Sequence, residues 1–155
     1  FEGASLKSAS LVASQMRGSN FKGADLGGAR ITADLSNANF AAARFTDADL
    51  SADMKNQSMG LMRAVLRSAR LEGADFTGAN LSRTVLEFAV MKDANLEGAN
   101  LFGAELGGAD PTGANLAGAD FELADVTSGV LQKRKGQDKA VNFDKVRNLK
   151  RAFVD

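Results

Sequence analysis

A large apolar residue recurs at every fifth position over most of this chain, and few folds accommodate that spacing. The clearest run is Leu66, Leu71, Phe76, Leu81, Leu86, Met91, Leu96, Leu101, Leu106, Pro111, Leu116, Phe121, Val126 and Leu131. Upstream, Phe1, Leu6, Leu11, Met16, Phe21, Leu26 and Ile31 keep the same step. Two residues before this large residue stands alanine in 21 of the 26 repeats from Leu6 to Leu131, the exceptions being Ser14, Ser19, Gln57, Thr84 and Gly129. A continuous helix needs apolar residues at 3.6 spacing and a continuous strand at 2, so a period of five is neither. Read locally, small–polar–large is a short extended piece with alternate side chains facing inward. Glycine often stands two residues after the large one, as at Gly23, Gly73 and Gly98, which suits a corner. Four such pieces and corners close a square of about twenty residues, and squares stack at a strand spacing of roughly 4.8 Å.

The phase slips between Ile31 and Leu66. Leu35 follows after four residues, Phe40, Phe45 and Leu50 resume the five-residue step, Met54 comes after four, Met59 after five, and seven residues lead to Leu66. The whole interval is thirty-five residues, equal to seven repeats, so the slips cancel. Four interior columns are expected on that count. One is Leu6, Leu26, Phe45, Leu66, Leu86, Leu106 and Val126; a second is Leu11, Ile31, Leu50, Leu71, Met91, Pro111 and Leu131. A third is Met16, Leu35, Met54, Phe76, Leu96 and Leu116; the fourth is Phe1, Phe21, Phe40, Met59, Leu81, Leu101 and Phe121. The count predicts about six and a half coils, a rod of roughly 30 Å, with an interior full of side chains and no room for a ligand. Residues 51–65 should form a bulge or short loop in which Met54, Met59 and Met62 fill irregular gaps. Pro111 removes one backbone donor, so one coil-to-coil hydrogen bond should be missing.

The segments ANLEG (94–98), ADFTG (74–78), ANLAG (114–118) and ADLGG (24–28) resemble the A(D/N)LxG motif of the pentapeptide-repeat proteins. The resemblance covers residues 1–131 and implies an all-β solenoid, a right-handed quadrilateral β-helix. Beyond Leu131 the pattern stops. Gln132–Lys139 reads as a polar turn, and Asp138 precedes a helical pattern with Phe143, Val146, Leu149 and Phe153 on one face. The expectation is therefore two units: the β-helix over 1–131, and a basic C-terminal capping turn and short α-helix over 132–155, since a solenoid needs its end covered. Phe1 is already a repeat centre, which leaves an upstream leader or N-terminal cap open as an expectation.

Charge and composition narrow the function classes. The net charge is zero, so no global field draws the chain to nucleic acid or to a membrane. It is unevenly divided, however: residues 133–155 hold an excess of five basic groups and the remainder an excess of five acidic ones. Histidine and cysteine are both absent, which removes the usual acid–base and thiol nucleophile roles and rules out disulfides. No apolar run approaches the ~18 residues of a membrane span. No enzyme activity, cofactor or metal is expected. An outward column of Asp34, Asp53 and Asp75 is read as a solvated face in preference to a cation site, and a column containing Asn20, Asn39, Asn80 and Asn100 as a hydrogen-bond ladder.

What remains for function is the outer surface. The candidate protein-binding residues are the outward Phe88 and Phe102, which with Val85 and Val90 would make a docking patch, the arginines Arg63, Arg67 and Arg70 near mid-rod, and the basic Lys133, Arg134 and Lys135 after it. These point to a rigid, non-catalytic protein-binding or scaffolding module with a protein partner, no nucleic-acid partner, and a membrane reached only through a partner complex. The family resemblance adds two narrower readings. Pentapeptide-repeat proteins abound in cyanobacteria and in the chloroplast thylakoid lumen, which implies an accessory subunit of a photosynthetic membrane complex. One branch resembles B-form DNA and binds DNA gyrase, which implies the alternative of a DNA-mimicking gyrase regulator.

Overall fold

The computed structural model describes residues 1–55, 62–128, 140 and 142–152. Its repeating unit is the extended piece and corner that the period of five demands. A large apolar centre other than Pro111 typically donates its amide to the next coil, as Leu96 does to the Asn115 carbonyl at 2.8 Å, while the residue before it donates to the previous coil, as Asn95 does to the Ala74 carbonyl at 2.9 Å. The bridges are all parallel and connect, for example, Asp75 to Asn95 and Asn95 to Asn115. Among the described residues, the sides lengthen into strands at the first two coils alone, β1 (Ser10–Gln15) and β2 (Arg30–Asp34). These pair in parallel with a bulge between Val12 and Gln15.

The corner is a four-residue turn. The centre's carbonyl accepts the amide of the alanine three residues on, as Leu101 does from Ala104 at 3.0 Å. Its third residue has positive φ, as in a type II turn. Glycine is common there, yet Arg83 (φ 60), Phe88 (φ 56) and Asp93 (φ 56) hold the same conformation.

The ladder gives four interior columns, and they differ from the spacing-based ones after the third coil. Face 1 stacks Leu6, Leu26, Phe45, Phe76, Leu96 and Leu116; face 2 stacks Leu11, Ile31, Leu50, Leu81, Leu101 and Phe121. Face 3 stacks Met16, Leu35, Leu66, Leu86, Leu106 and Val126; face 4 stacks Phe1, Phe21, Phe40, Leu71, Met91 and Pro111. Asp34 pairs directly with Val65, so Leu66 follows Leu50 as the next centre. Met54 is not an interior residue: it is 49% exposed. Met59 lies outside the described residues. The chain leaves the coil after Ala52 and returns near Met62, where the Asp53 amide meets the Met62 carbonyl at 2.8 Å. The interval from Ile31 to Leu66 thus holds five steps where the spacing predicts seven, since Met54 is apolar and nearly in phase without being a centre.

The packing bridges this interruption. Phe45 and Phe76 stack with centroids 4.5 Å apart across it, while Phe1, Phe21 and Phe40 stack on face 4 at 4.8 and 4.7 Å. From Phe21 onward the centres and their alanines are essentially inaccessible. The interior void beside Met91, Leu106, Pro111 and Leu116 is about 10 Å³, room for one water at most.

The C-terminal segment departs from expectation. Among the described residues it contains two single 3-10 turns, Phe143–Lys145 and Leu149–Arg151, rather than an α-helix. Their spacing is set by the sheet edge they lie on: Gly118, Phe121 and Leu123 donate to the carbonyls of Lys145, Arg147 and Arg151. A continuous α-helix would use those carbonyls internally.

Candidate protein-binding surface

With the interior filled, the chemistry of this molecule lies on the residue before each centre and the two after it. The Asp or Asn of the motif has a local task. Its side-chain oxygen accepts the amide two residues on, as Asn100 does from Phe102 at 3.0 Å and Asp110 from Thr112 at 3.1 Å, an Asx-turn that holds the corner. The asparagines also form ladders between coils. Asn39 donates to Asn20 on face 4, Asn100 to Asn80 on face 2, and Asn115 to Asn95 on face 1. The ladder expected from Asn20, Asn39, Asn80 and Asn100 therefore exists in two pieces, on faces 4 and 2.

The expected acidic column is divided likewise. Asp34 lies on face 3, where Arg17 donates to Asp34 Oδ2 through two nitrogens at 2.6 Å. Asp75 lies on face 1, next to Arg44 and two coils from Asp25. Burial pushes the Asp34 carboxyl up, but the Ser36 hydroxyl and amide together with Arg17 outweigh it and hold its pKa below the ordinary value. The same balance, with Thr77 and Thr46, lowers Asp75, and with Thr112 and Lys92 lowers Asp110. Asp25 is lowered first by the Gly27 amide, then by Lys7 and Arg44, against a smaller burial effect.

The three mid-rod arginines do not form a free basic patch. Arg63 reaches over Val85 to Glu105 at 2.5 Å, and Val85, one of the four residues of the anticipated apolar patch, is left 2% exposed. Arg67 pairs with Glu87 on face 3, and Arg70 with Glu72 at 3.4 Å on face 4. Lys133, Arg134 and Lys135 lie outside the described residues.

Phe88 and Phe102 do not meet. Phe88 stands at the corner between faces 3 and 4 and is 61% exposed. Its ring lies over Gly108, where an added Cβ would come within 2.5 Å of Phe88 Cδ1. Phe102 is on face 2, half-buried beneath Arg83, whose guanidinium carbon is 5.4 Å from the ring centroid. Leu123, at the corner between faces 2 and 3, is 40% exposed and escaped the sequence reading because it occupies a position that is usually glycine.

Thr84 also acquires a role that its sequence position hinted at. It replaces the usual alanine, and its buried hydroxyl donates to the Leu50 carbonyl at 3.1 Å. Leu50 is where the regular corner is lost, so the hydroxyl supplies the donor that the corner amide supplies elsewhere.

The open depression of about 370 Å³ at the corner between faces 2 and 3 includes Thr32, Asp34 and Met62 in its lining, and Asp34 is engaged by Arg17 and Ser36. Among the described residues no group of three acidic side chains is placed to hold a metal ion, and no helix is long and apolar enough to cross a membrane.

A four-sided ladder of five-residue steps, fixed by Asx-turns and filled with alanine and leucine, defines a class, and sequence comparison agrees with it. The chain belongs to the pentapeptide-repeat family, whose model matches residues 1–32, 61–98 and 94–132 in eight copies. Solved structures similar to it include QnrB1, a plasmid-mediated fluoroquinolone resistance protein, at 19% identity and a TM-score of 0.56 over 97% of this chain and 79% of that one. A pentapeptide repeat protein, Rfr23, from the cyanobacterium Cyanothece 51142 matches at 20% identity and a TM-score of 0.41, covering 99% of this chain and 89% of its own. Another from the thylakoid lumen of Arabidopsis thaliana matches at 26% identity and a TM-score of 0.35, covering 76% and 64%. Comparison with curated proteins returns no significant match. Family membership and the likeness in fold to QnrB1 together imply the right-handed winding of the quadrilateral β-helix.

Proposed function

We propose that this chain is a non-catalytic, rigid protein-binding module. The observation that carries the reading is the contrast between a filled interior and an outer surface that keeps a large aromatic, Phe88, 61% exposed on a rigid corner. Rigid aromatic anchors of this kind are what protein interfaces concentrate their energy on. The paired arginines and carboxylates around it form a polar rim. A native pull-down with the tagged chain tests the reading. Recovery of a stable partner that Phe88→Ala releases would support it, and repeated recovery of the free chain alone would count against it.

An accessory role beside a photosynthetic membrane complex is the narrower form of this proposal. It rests on the family's distribution, and co-migration with thylakoid complexes on a native gel is its test. The rival is gyrase regulation by DNA mimicry. Mimicry needs a continuous negative surface, whereas here acids and bases alternate in pairs such as Lys7–Asp25, Arg30–Asp49 and Lys92–Asp110. A supercoiling assay decides it: inhibition or protection of purified gyrase at micromolar protein would favour mimicry over the scaffold reading.

A further inference from the structure

Among the described residues, the last coil is covered on faces 1 and 2 by the segment Asn142–Ala152, which is held by longer backbone bonds than the matching amides one coil below. In coil five, Gly98, Leu101 and Gly103 donate to Ala117, Asp120 and Glu122 at 2.8 Å each. One coil later the equivalent amides of Gly118, Phe121 and Leu123 donate to Lys145, Arg147 and Arg151 at 3.1, 3.1 and 3.2 Å. Val146 and Leu149 are only partly buried against the core, and the Leu149–Arg151 turn contributes no buried residue.

What fixes the segment is polar. Asn142 donates to Asn115 Oδ1 and Asn148 to Asp120 Oδ1, both at 2.8 Å, so two asparagines extend the ladders of faces 1 and 2 by one rung. Arg147 donates to the Gly118 carbonyl at 3.0 Å and lies 3.8 Å from Asp120; Arg151 meets Glu122 at 2.5 Å. Both arginines are largely solvent-exposed, where ion pairs are weak and screened by salt.

We infer that Asn142–Ala152 is a releasable strap, and that the edge it covers on faces 1 and 2 is a docking site for a peptide segment that takes the strap's own turned conformation. The occupant is identified by what the strap itself uses: a segment whose backbone carbonyls accept from the edge amides and whose turns place two carboxamides six residues apart over Asn115 and Asp120, with basic residues facing Asp120 and Glu122. This rests on the protein-binding reading and gives it a location and a partner chemistry. Because the strap and a partner segment would make the same bonds, binding is a competition between them, and the strap also keeps a free sheet edge from aggregating.

Hydrogen exchange on the full chain tests the release. The amides of Gly118, Phe121 and Leu123 should exchange at least a hundredfold faster than those of Gly98, Leu101 and Gly103, and faster again in 1 M salt, where the Debye length falls to about 3 Å. Equal protection of the two sets would overturn the strap. The docking site is tested with a fluorescent synthetic peptide of residues 140–152, added to the full chain and to its Asn142→Ala/Asn148→Ala/Arg151→Ala variant. At least tenfold tighter binding to the variant is expected. No binding to a variant whose strap amides already exchange freely would overturn the docking site. A pull-down that recovers no partner would sink the protein-binding reading while leaving both results intact.

Discussion

Single residues in this molecule are read against the coil above and the coil below. Gly108 shows it: φ is +69°, and its Cα surface is where the Phe88 ring lies. Gly108→Ala should cost ~1–3 kcal/mol, from left-handed strain plus displacement of the ring. Gly73→Ala, with φ +64° and nothing within 4 Å, should cost only the strain, about 1 kcal/mol. Urea denaturation of the two variants, with Phe88→Ala added to each, separates the contributions; equal losses in both would remove the stacking argument. Thr84 is a second case. Thr84→Val leaves the buried Leu50 carbonyl without its hydroxyl donor and should cost ~1–3 kcal/mol, whereas Thr84→Ser should stay close to the parent. The carboxylates make the third. Asp25, Asp34, Asp75 and Asp110 all titrate below their ordinary value when folded. Each therefore contributes stability that is complete above an unfolded pKa of about 3.9 and is lost as pH falls through the lower folded one. The urea midpoint should drop steeply below about pH 4, and Asp34→Asn with Asp75→Asn should flatten that drop. An unchanged acid limb in the double variant would refute the assignment.

At the scale of the coil, the period of five and its alanines disclosed the element, its corners and most of its core. What they could not disclose was which face each centre occupies once the chain is interrupted. Met54 and Met59 have the right polarity and almost the right spacing, and Ile31 to Leu66 spans a whole number of fives. Only the pairing of Asp34 with Val65 distinguishes an excursion from two further steps. The consequence reached the candidate surface: columns of aspartate and asparagine assembled by counting were dispersed over different faces. The strap escaped for a related reason. Asn142-Phe143 and Asn148-Leu149 echo the Asn-Leu of the motif, but the extra residue between them, and the apolar spacing from Phe143 to Leu149, read as a helix. Thr84 was visible as an exception to alanine, though its meaning required knowing that the chain leaves the coil after Leu50. Among the centres, Leu81 sits on face 2 directly above Leu101 and beneath Leu50, so Leu81→Ala should cost ~2–5 kcal/mol in chemical denaturation.

Across the whole molecule, cohesion is nearest-neighbour. Apart from the Arg63–Glu105 pair, which reaches two coils on, each coil packs on the ones on either side, so stability should follow a sum of coil and interface contributions. The aromatic stack on face 4 and the Phe45–Phe76 pair tie the first three coils to the next ones. Many of the charges are paired between coils, as in Lys7–Asp25, Arg30–Asp49 and Lys92–Asp110, which leaves shape, the Phe88 corner and the strapped edge as the distinguishing features of the surface. The excursion between Ala52 and Met62 has a practical meaning beyond this protein's own chemistry. The backbone departs and re-enters at one corner, where the Asp53 amide meets the Met62 carbonyl, and the stack continues in register on either side. That corner is a natural splice point: foreign loops, epitopes or reporter peptides grafted there would be displayed at a fixed height on a rigid post, without disturbing the columns that hold the post together.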